Sequence, residues 1–214
     1  MDKADIVVID YGMGNLLSVC RAFEYLGASV CITSDPNIIL RSGKVVLPGV
    51  GSFPEAMKEL QELGLISVIK QVAQNGTMLL GICLGMQILF ESSQEFGGSI
   101  GLGLLPGDVI PIPLCMQNGS PLKIPHIGWR QLHLSSQDSL LASKFSDVLS
   151  NKSFYFVHSF MAQPKSGQFN IANCLYGDVV VPAVVGRDNL IGCQFHPEKS
   201  GADGLEVLRR FLEI

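Results

Sequence analysis

Residues 77–82, Thr-Met-Leu-Leu-Gly-Ile, carry no charge and no alternation of polar with apolar positions. A strand of this kind has no face for water, so it belongs inside a sheet covered by helices on both sides. Short β-prone runs occur upstream, at residues 5–10, 28–33 and 44–48. Helical patterns lie between and after them. Asn15 is placed to cap a helix running to about Leu26 and stopped by Gly27, and two more are expected at 54–63 and 65–74. Strands alternating with helices imply right-handed βαβ units and a mostly parallel sheet. The run at 84–92, Leu-Gly-Met-Gln-Ile-Leu-Phe-Glu-Ser, is also expected to be helical.

From about residue 100 the rhythm changes to short β-prone runs separated by Gly and Pro, among them 122–134, 153–160, 168–176 and 182–195. Gly-Arg-Asp-Asn at 186–189 reads as a hairpin turn, and 203–213 as a closing amphipathic helix. No repeat, linker or low-complexity segment divides the chain, so 1–214 is expected to form a single α/β domain with an antiparallel extension.

Hydrophobic residues make up 47% of the chain and charged ones 16%, with a formal charge of −4, which gives no reason to expect nucleic acid or an anionic membrane as partner. No apolar run reaches the roughly 18–20 residues that span a bilayer, and the stretch 6–9 is too short for a signal peptide. The expected location is cytoplasmic. The six cysteines form no Cys-x-x-Cys pair, so neither a zinc site nor a thioredoxin-like motif is expected. No metal and no cofactor are expected.

Chemistry gathers at the carboxyl ends of strands in open α/β sheets. Four segments directly follow expected strands: 11–15, 48–51, Cys83 and His196. Gly-Ile-Cys-Leu-Gly, at 81–85, is the nucleophile-elbow pattern with cysteine in place of serine. Cys83 would then lie at a helix N-terminus, which favours a thiolate, with the Leu84 N–H ready to donate to an oxyanion. Such a cysteine needs a base, and the base an orienting acid. Of four histidines, His133 sits in an alternating strand facing solvent, and His126 and His158 have no acid at a useful spacing. His196 is followed by Pro197 and Glu198; across an extended unit the two side chains project to one side, so Glu198 could fix the imidazole while its other nitrogen faces Cys83. Pro-Gly-Val-Gly at 48–51 fits either a simple tight turn or a loop offering backbone N–H groups to a ligand. Tyr-Gly-Met-Gly-Asn at 11–15 lacks the spacing and the lysine of a phosphate loop.

Gly-Ile-Cys-Leu-Gly-Met-Gln and Gln-Phe-His-Pro-Glu-Lys-Ser together resemble the triad-type class I glutamine amidotransferases, over essentially the whole chain. Within that family, Asp-Tyr-Gly-Met-Gly-Asn, Leu-Pro-Gly-Val-Gly-Ser-Phe, Pro-His-Ile-Gly-Trp and Tyr-Phe-Val-His-Ser-Phe are most similar to the glutaminase subunits of imidazole glycerol phosphate synthase. The resemblance implies a flavodoxin-like α/β fold and hydrolysis of L-glutamine to glutamate and ammonia by Cys83, His196 and Glu198. It further implies oxyanion N–H groups from Gly51 and Leu84, and substrate contacts from Gln87 and the backbone of Ser159 and Phe160. The implied partner is a (β/α)8 cyclase that takes the ammonia to make imidazole glycerol phosphate and aminoimidazole carboxamide ribonucleotide in histidine biosynthesis. Trp129, Tyr155 and Lys199 would meet it, although Trp129 also suits a core position. Arg130 stands where the family usually has asparagine, which leaves open a paralogue serving another acceptor, such as a sugar-amidating synthase. A thiol γ-glutamyl hydrolase working alone is a third reading.

Overall fold

The computed structural model describes residues 4–135 and 140–214. Strand β1 (Ile6–Ile9) is buried throughout, Ile6 and Val8 entering one apolar cluster and Val7 and Ile9 another on the opposite face. It is followed by α1 (Leu16–Tyr25), β2 (Val30–Thr33), α2 (Pro36–Arg41), β3 (Lys44–Leu47), α3 (Phe53–Glu62), α4 (Leu65–Gln74) and β4 (Met78–Ile82). Strands β2, β1, β3 and β4 are neighbours in that order and all parallel. Leu79 joins one cluster while Leu80 and Ile82 join the other, the two-sided burial that the unpatterned run required.

After β4 come α5 (Leu84–Gln87), β5 (Phe90–Ser93), β6 (Ser99–Ile100), β7 (Leu105–Pro111), β8 (His126–Gln131), β9 (His133–Leu134) and α6 (Leu140–Leu149). The chain ends with β10 (Ser153–His158), β11 (Phe160–Pro164), β12 (Asn170–Tyr176), β13 (Val179–Arg187), β14 (Leu190–Cys193) and α7 (Gly201–Glu213). Strand β14 lies parallel beside β4, and β13, β12 and β9 extend the sheet antiparallel. The β13–β14 hairpin turns at Asp188, whose φ of 54° suits a tight two-residue connection. Strands β11, β7, β5 and β6 form a second sheet, and β8 pairs with β10 as a ribbon. Helices α1, α6 and α7 bury their apolar faces in one cluster, α2, α3 and α4 in the other.

Three local expectations change. The helix expected over 84–92 lasts one turn, because Ile88, Leu89 and Phe90 are all fully buried and Phe90 starts a strand between β7 and β6. A surface helix could not bury three consecutive side chains, so pairing in the second sheet overrides local propensity. Helix α2 went unread although Asp35-Pro36 signals it; the Asp35 carboxylate accepts from Asn37 N–H at 2.8 Å, with proline in the first turn. Asn15 does precede α1, but its side chain makes no capping bond at φ −88°, ψ 63°, away from the extended geometry a cap needs. Among the described residues, no helix is long and apolar enough to cross a membrane.

Candidate active site

The parallel arrangement brings β1, β3, β4 and β14 to one edge, and the segments that follow them meet there. Tyr11, fully buried after β1, donates its hydroxyl to the Pro48 carbonyl at 2.8 Å and so ties the first loop to the second. Burial raises its phenol well above the ordinary tyrosine range, which keeps it a donor. The Cys83 N–H bonds the Cys193 carbonyl at 2.8 Å, joining the β4 exit to the β14 exit.

Cys83 occupies the turn between β4 and α5 at φ 54°, ψ −110°, a region costly for any residue with a Cβ. Its flanking glycines are sterically required. A Cβ on Gly85 would stand 1.8 Å from the Leu47 carbonyl oxygen, and one on Gly81 would stand 2.7 Å from that of Gly85. The elbow is thus pressed against β3, and the packing holds the strained cysteine in place. Cys83 is almost wholly buried.

His196 follows β14, with its Nδ1 2.8 Å from Glu198 Oε1 and both side chains almost completely enclosed. The route to this pairing differs from the extended unit expected. His196 is extended, but Pro197–Lys199 form a single 3-10 turn, fixed where the His196 carbonyl accepts from Ser200 Oγ at 2.7 Å. Pro197 starts that turn, and the turn swings Glu198 back beneath the imidazole. Burial alone would lower the imidazole pKa, but its interactions with Cys83 and Glu198 outweigh it and raise the value to about 10. His196 Nε2 is buried without a hydrogen bond of ordinary geometry, as is Glu198 Oε2. The Nε2 atom is left for the sulfur and for whatever reacts there.

A cavity of about 330 Å3 opens beside this cluster, within the range of small-ligand sites. Gly51, Cys83, Leu84, Gln87, Ser159, Phe160 and His196 all line it, so seven residues singled out from sequence share one space. Gly49 admits no side chain, since a Cβ would approach Tyr11 Oη to 2.5 Å, while Gly51 has φ 109°. Both properties explain why the loop after β3 needs glycine.

Other lining residues escaped the sequence reading. Glu95 contributes a carboxylate to the wall and uses one oxygen to accept from the Phe53 N–H at 2.7 Å. It lies in a short 3-10 turn just after β5, beyond the run expected to be helical, and no motif marked it. His158, set aside for want of an acid, is also in the wall; its Nδ1 donates to the Phe160 carbonyl at 2.8 Å. Behind it, His126 Nδ1 is 2.9 Å from His158 Nε2. Burial lowers His158 to about 4, with His196 pushing the same way against the Phe160 bond. Burial, His158 and Arg130 lower His126 to about 3. Both are therefore neutral near pH 7.

Trp129, Tyr155 and Lys199 stand outside the cavity. Trp129 and Tyr155 are cross-strand partners on the β8–β10 ribbon with ring centroids 6.1 Å apart, and Trp129 is 51% exposed rather than in the core. Ile127, on the same face, is also half exposed, and Val157 opposite it lines the cavity. Lys199 is exposed. Arg130 takes the other face of the strand, with its guanidinium 5.3 Å from the Tyr176 ring centre and Nη1 donating to the Trp129 carbonyl. His133 is exposed, as its alternating strand implied.

The glutamine amidotransferase class-I family matches residues 7–214. The chain is 46% identical over 212 residues to the imidazole glycerol phosphate synthase subunit HisH 1 of Legionella pneumophila strain Lens, covering 99% of this chain and 100% of the relative. It is 48% identical over 209 residues to subunit HisH of Geobacillus thermodenitrificans, covering 98% and 95%. Among solved structures, a glutamine amidotransferase superposes with a TM-score of 0.72 at 19% identity, covering 97% of both chains. PurLQS from Thermotoga maritima gives 0.68 at 19% identity and the same coverage. These structural likenesses concern the fold.

Proposed function

The chain belongs to the class-I glutamine amidotransferases, within them to the HisH subunits of imidazole glycerol phosphate synthase, and on that premise we propose how its residues divide the work. The chain is a glutaminase unit spanning 1–214. Cys83 Sγ attacks the side-chain carbonyl carbon of L-glutamine, and N–H groups at Gly51 and Leu84 receive the charge that builds on oxygen. His196 passes its proton to the amide nitrogen, the C–N bond breaks, and ammonia leaves a glutamyl thioester. Water, deprotonated by His196, then attacks the thioester; glutamate departs and the thiol is restored. Glu198 holds the imidazole in one orientation and favours its charged form.

What carries the reading is the buried pairing of His196 with Glu198 at 2.8 Å beside a strained, glycine-flanked Cys83 on one cavity. Glu95 supplies a carboxylate suited to the substrate's α-ammonium, and Gln87 with the Ser159–Phe160 backbone borders the remainder. Released ammonia would protonate in bulk water, so it must pass to an acceptor. The apolar face around the mouth, from Ile127 and Trp129 to Tyr155, is suited to docking a (β/α)8 cyclase, with Lys199 at its rim. Arg130 turns onto Tyr176 instead of joining that face.

The test is glutamine hydrolysis by the chain alone and with a histidine-pathway cyclase carrying its nucleotide ligand. Hydrolysis should rise strongly with both present and disappear in Cys83→Ala. Activity retained in that variant would end the thiol mechanism, and full activity without a partner would favour a hydrolase working alone.

A further inference from the structure

Gln194, the first residue of the Gln-Phe-His-Pro-Glu motif, has no part in the scheme above, yet it is completely buried beside the nucleophile. Its Nε2 lies 3.8 Å from Cys83 Sγ, within reach for a bond to sulfur, and its Oε1 lies 2.9 Å from Gln87 Nε2. Gln87 Nε2 is also 2.9 Å from the Phe160 carbonyl oxygen, which in turn is 2.8 Å from His158 Nδ1.

The direction of every bond in this series follows from chemistry. A carbonyl oxygen only accepts, so the Gln87 atom facing Phe160 must be its amide nitrogen. That nitrogen also faces Gln194, where only an oxygen can accept. The other end of the Gln194 amide, toward Cys83, must therefore be N–H. His158 fits the same logic. Its Nδ1–H is committed to Phe160, so a neutral ring offers Nε2 as acceptor and His126 Nδ1 must be the donor to it. Two rings and two amides are thus locked into one orientation, and an N–H is aimed at the sulfur.

We infer that Gln194 is a further catalytic residue: its amide N–H donates to the Cys83 sulfur and stabilises the thiolate, while Gln87 acts as the positioning residue that keeps the amide from flipping. This deepens the glutaminase reading and rests on Cys83 being its nucleophile. A bond from a neutral donor to a charged sulfur strengthens when the proton leaves, so it selects the reactive form over the resting thiol. Gln87 is then spent internally through its nitrogen, and only Oε1 remains to meet a substrate.

The experiment follows alkylation of Cys83 by iodoacetamide across pH in the full chain without partner, read by mass spectrometry on the peptide containing it. The other five cysteines are thereby distinguished. Gln194→Met fills the space without a donor and should react about tenfold more slowly than the native protein at pH 7, recovering at alkaline pH where the thiolate forms unaided. A misshapen site would stay slow at every pH. Gln87→Met leaves the donor present but unoriented and should slow the reaction by about threefold, one hydrogen bond's worth of ordering. An unchanged rate at pH 7 in folded Gln194→Met overturns the inference, and if that variant does not fold, an unchanged rate in Gln87→Met does so. Cys83→Ser, assayed with partner, separates the two levels: if it hydrolyses glutamine normally, the nucleophile assignment fails, whatever the alkylation rates show.

Discussion

Replacing Glu198 by glutamine removes a charge from His196 while keeping the shape of its partner. The carboxylate oxygen and Nδ1 are 2.8 Å apart and both side chains are almost completely enclosed. The charges of the two delocalised groups are centred about 4 Å apart, which at an effective dielectric constant of about 20 corresponds to roughly 4 kcal/mol. At 1.36 kcal/mol per unit, losing it lowers the imidazole by about three units. The native value, raised to about 10 by Cys83 and Glu198 against burial, would fall toward neutrality. Isotope-labelled histidine gives four NMR signals to assign, and that of His196 should titrate near pH 7 in Glu198→Gln but only above pH 9 in the native chain. Stability must follow the same shift. A folded-state pKa above the unfolded value of about 6.5 stabilises fully below that value and less as pH rises toward 10. The native chain should therefore lose more melting temperature than the variant between pH 6 and pH 10. Glutamine hydrolysis with partner should fall by about a hundredfold or more at pH 7. If His196 titrates at the same pH in both proteins, Glu198 does not set its charge and the reasoning fails.

Gly85→Ala must displace the elbow or β3, because its Cβ would meet the Leu47 oxygen at 1.8 Å; a loss of about 3 kcal/mol is expected in urea unfolding. Cys83→Gly should instead be more stable than the native chain by about 1 kcal/mol, since φ 54° no longer strains a side chain, while glutamine hydrolysis vanishes. Glu95→Gln should raise KM for glutamine about tenfold with a smaller effect on kcat, if its carboxylate holds the α-ammonium, as steady-state kinetics with partner would show. Trp129→Ala should leave the melting temperature unchanged, being half exposed, and weaken cyclase binding by about 2 kcal/mol in calorimetry.

The sequence by itself determined the layer arrangement and the chemical types of the site. An apolar run with no wet face, such as 77–82, can only be an interior strand, and glycines on both sides of Cys83 announce a turn too tight for side chains. These are local properties, and local sterics and periodicity express them directly. The tertiary structure decided whatever depends on residues far apart in the chain. Residues 88–92 could have continued α5, but burial of Ile88, Leu89 and Phe90 ended the helix and Phe90 opened a strand of the second sheet, whose exit carried Glu95 to the cavity wall. His196 and Glu198 meet through a turn fixed partly by Ser200, not through the extended geometry their spacing suggested. Gln194, Gln87 and His158 look unrelated in the sequence, separated by as many as 107 positions, until the sheet stacks them into one series of hydrogen bonds. Amide orientation, imidazole tautomer and the charge on His196 are properties of those neighbours. No window of sequence contains them, because the low-dielectric surroundings that set them exist only once the chain has folded.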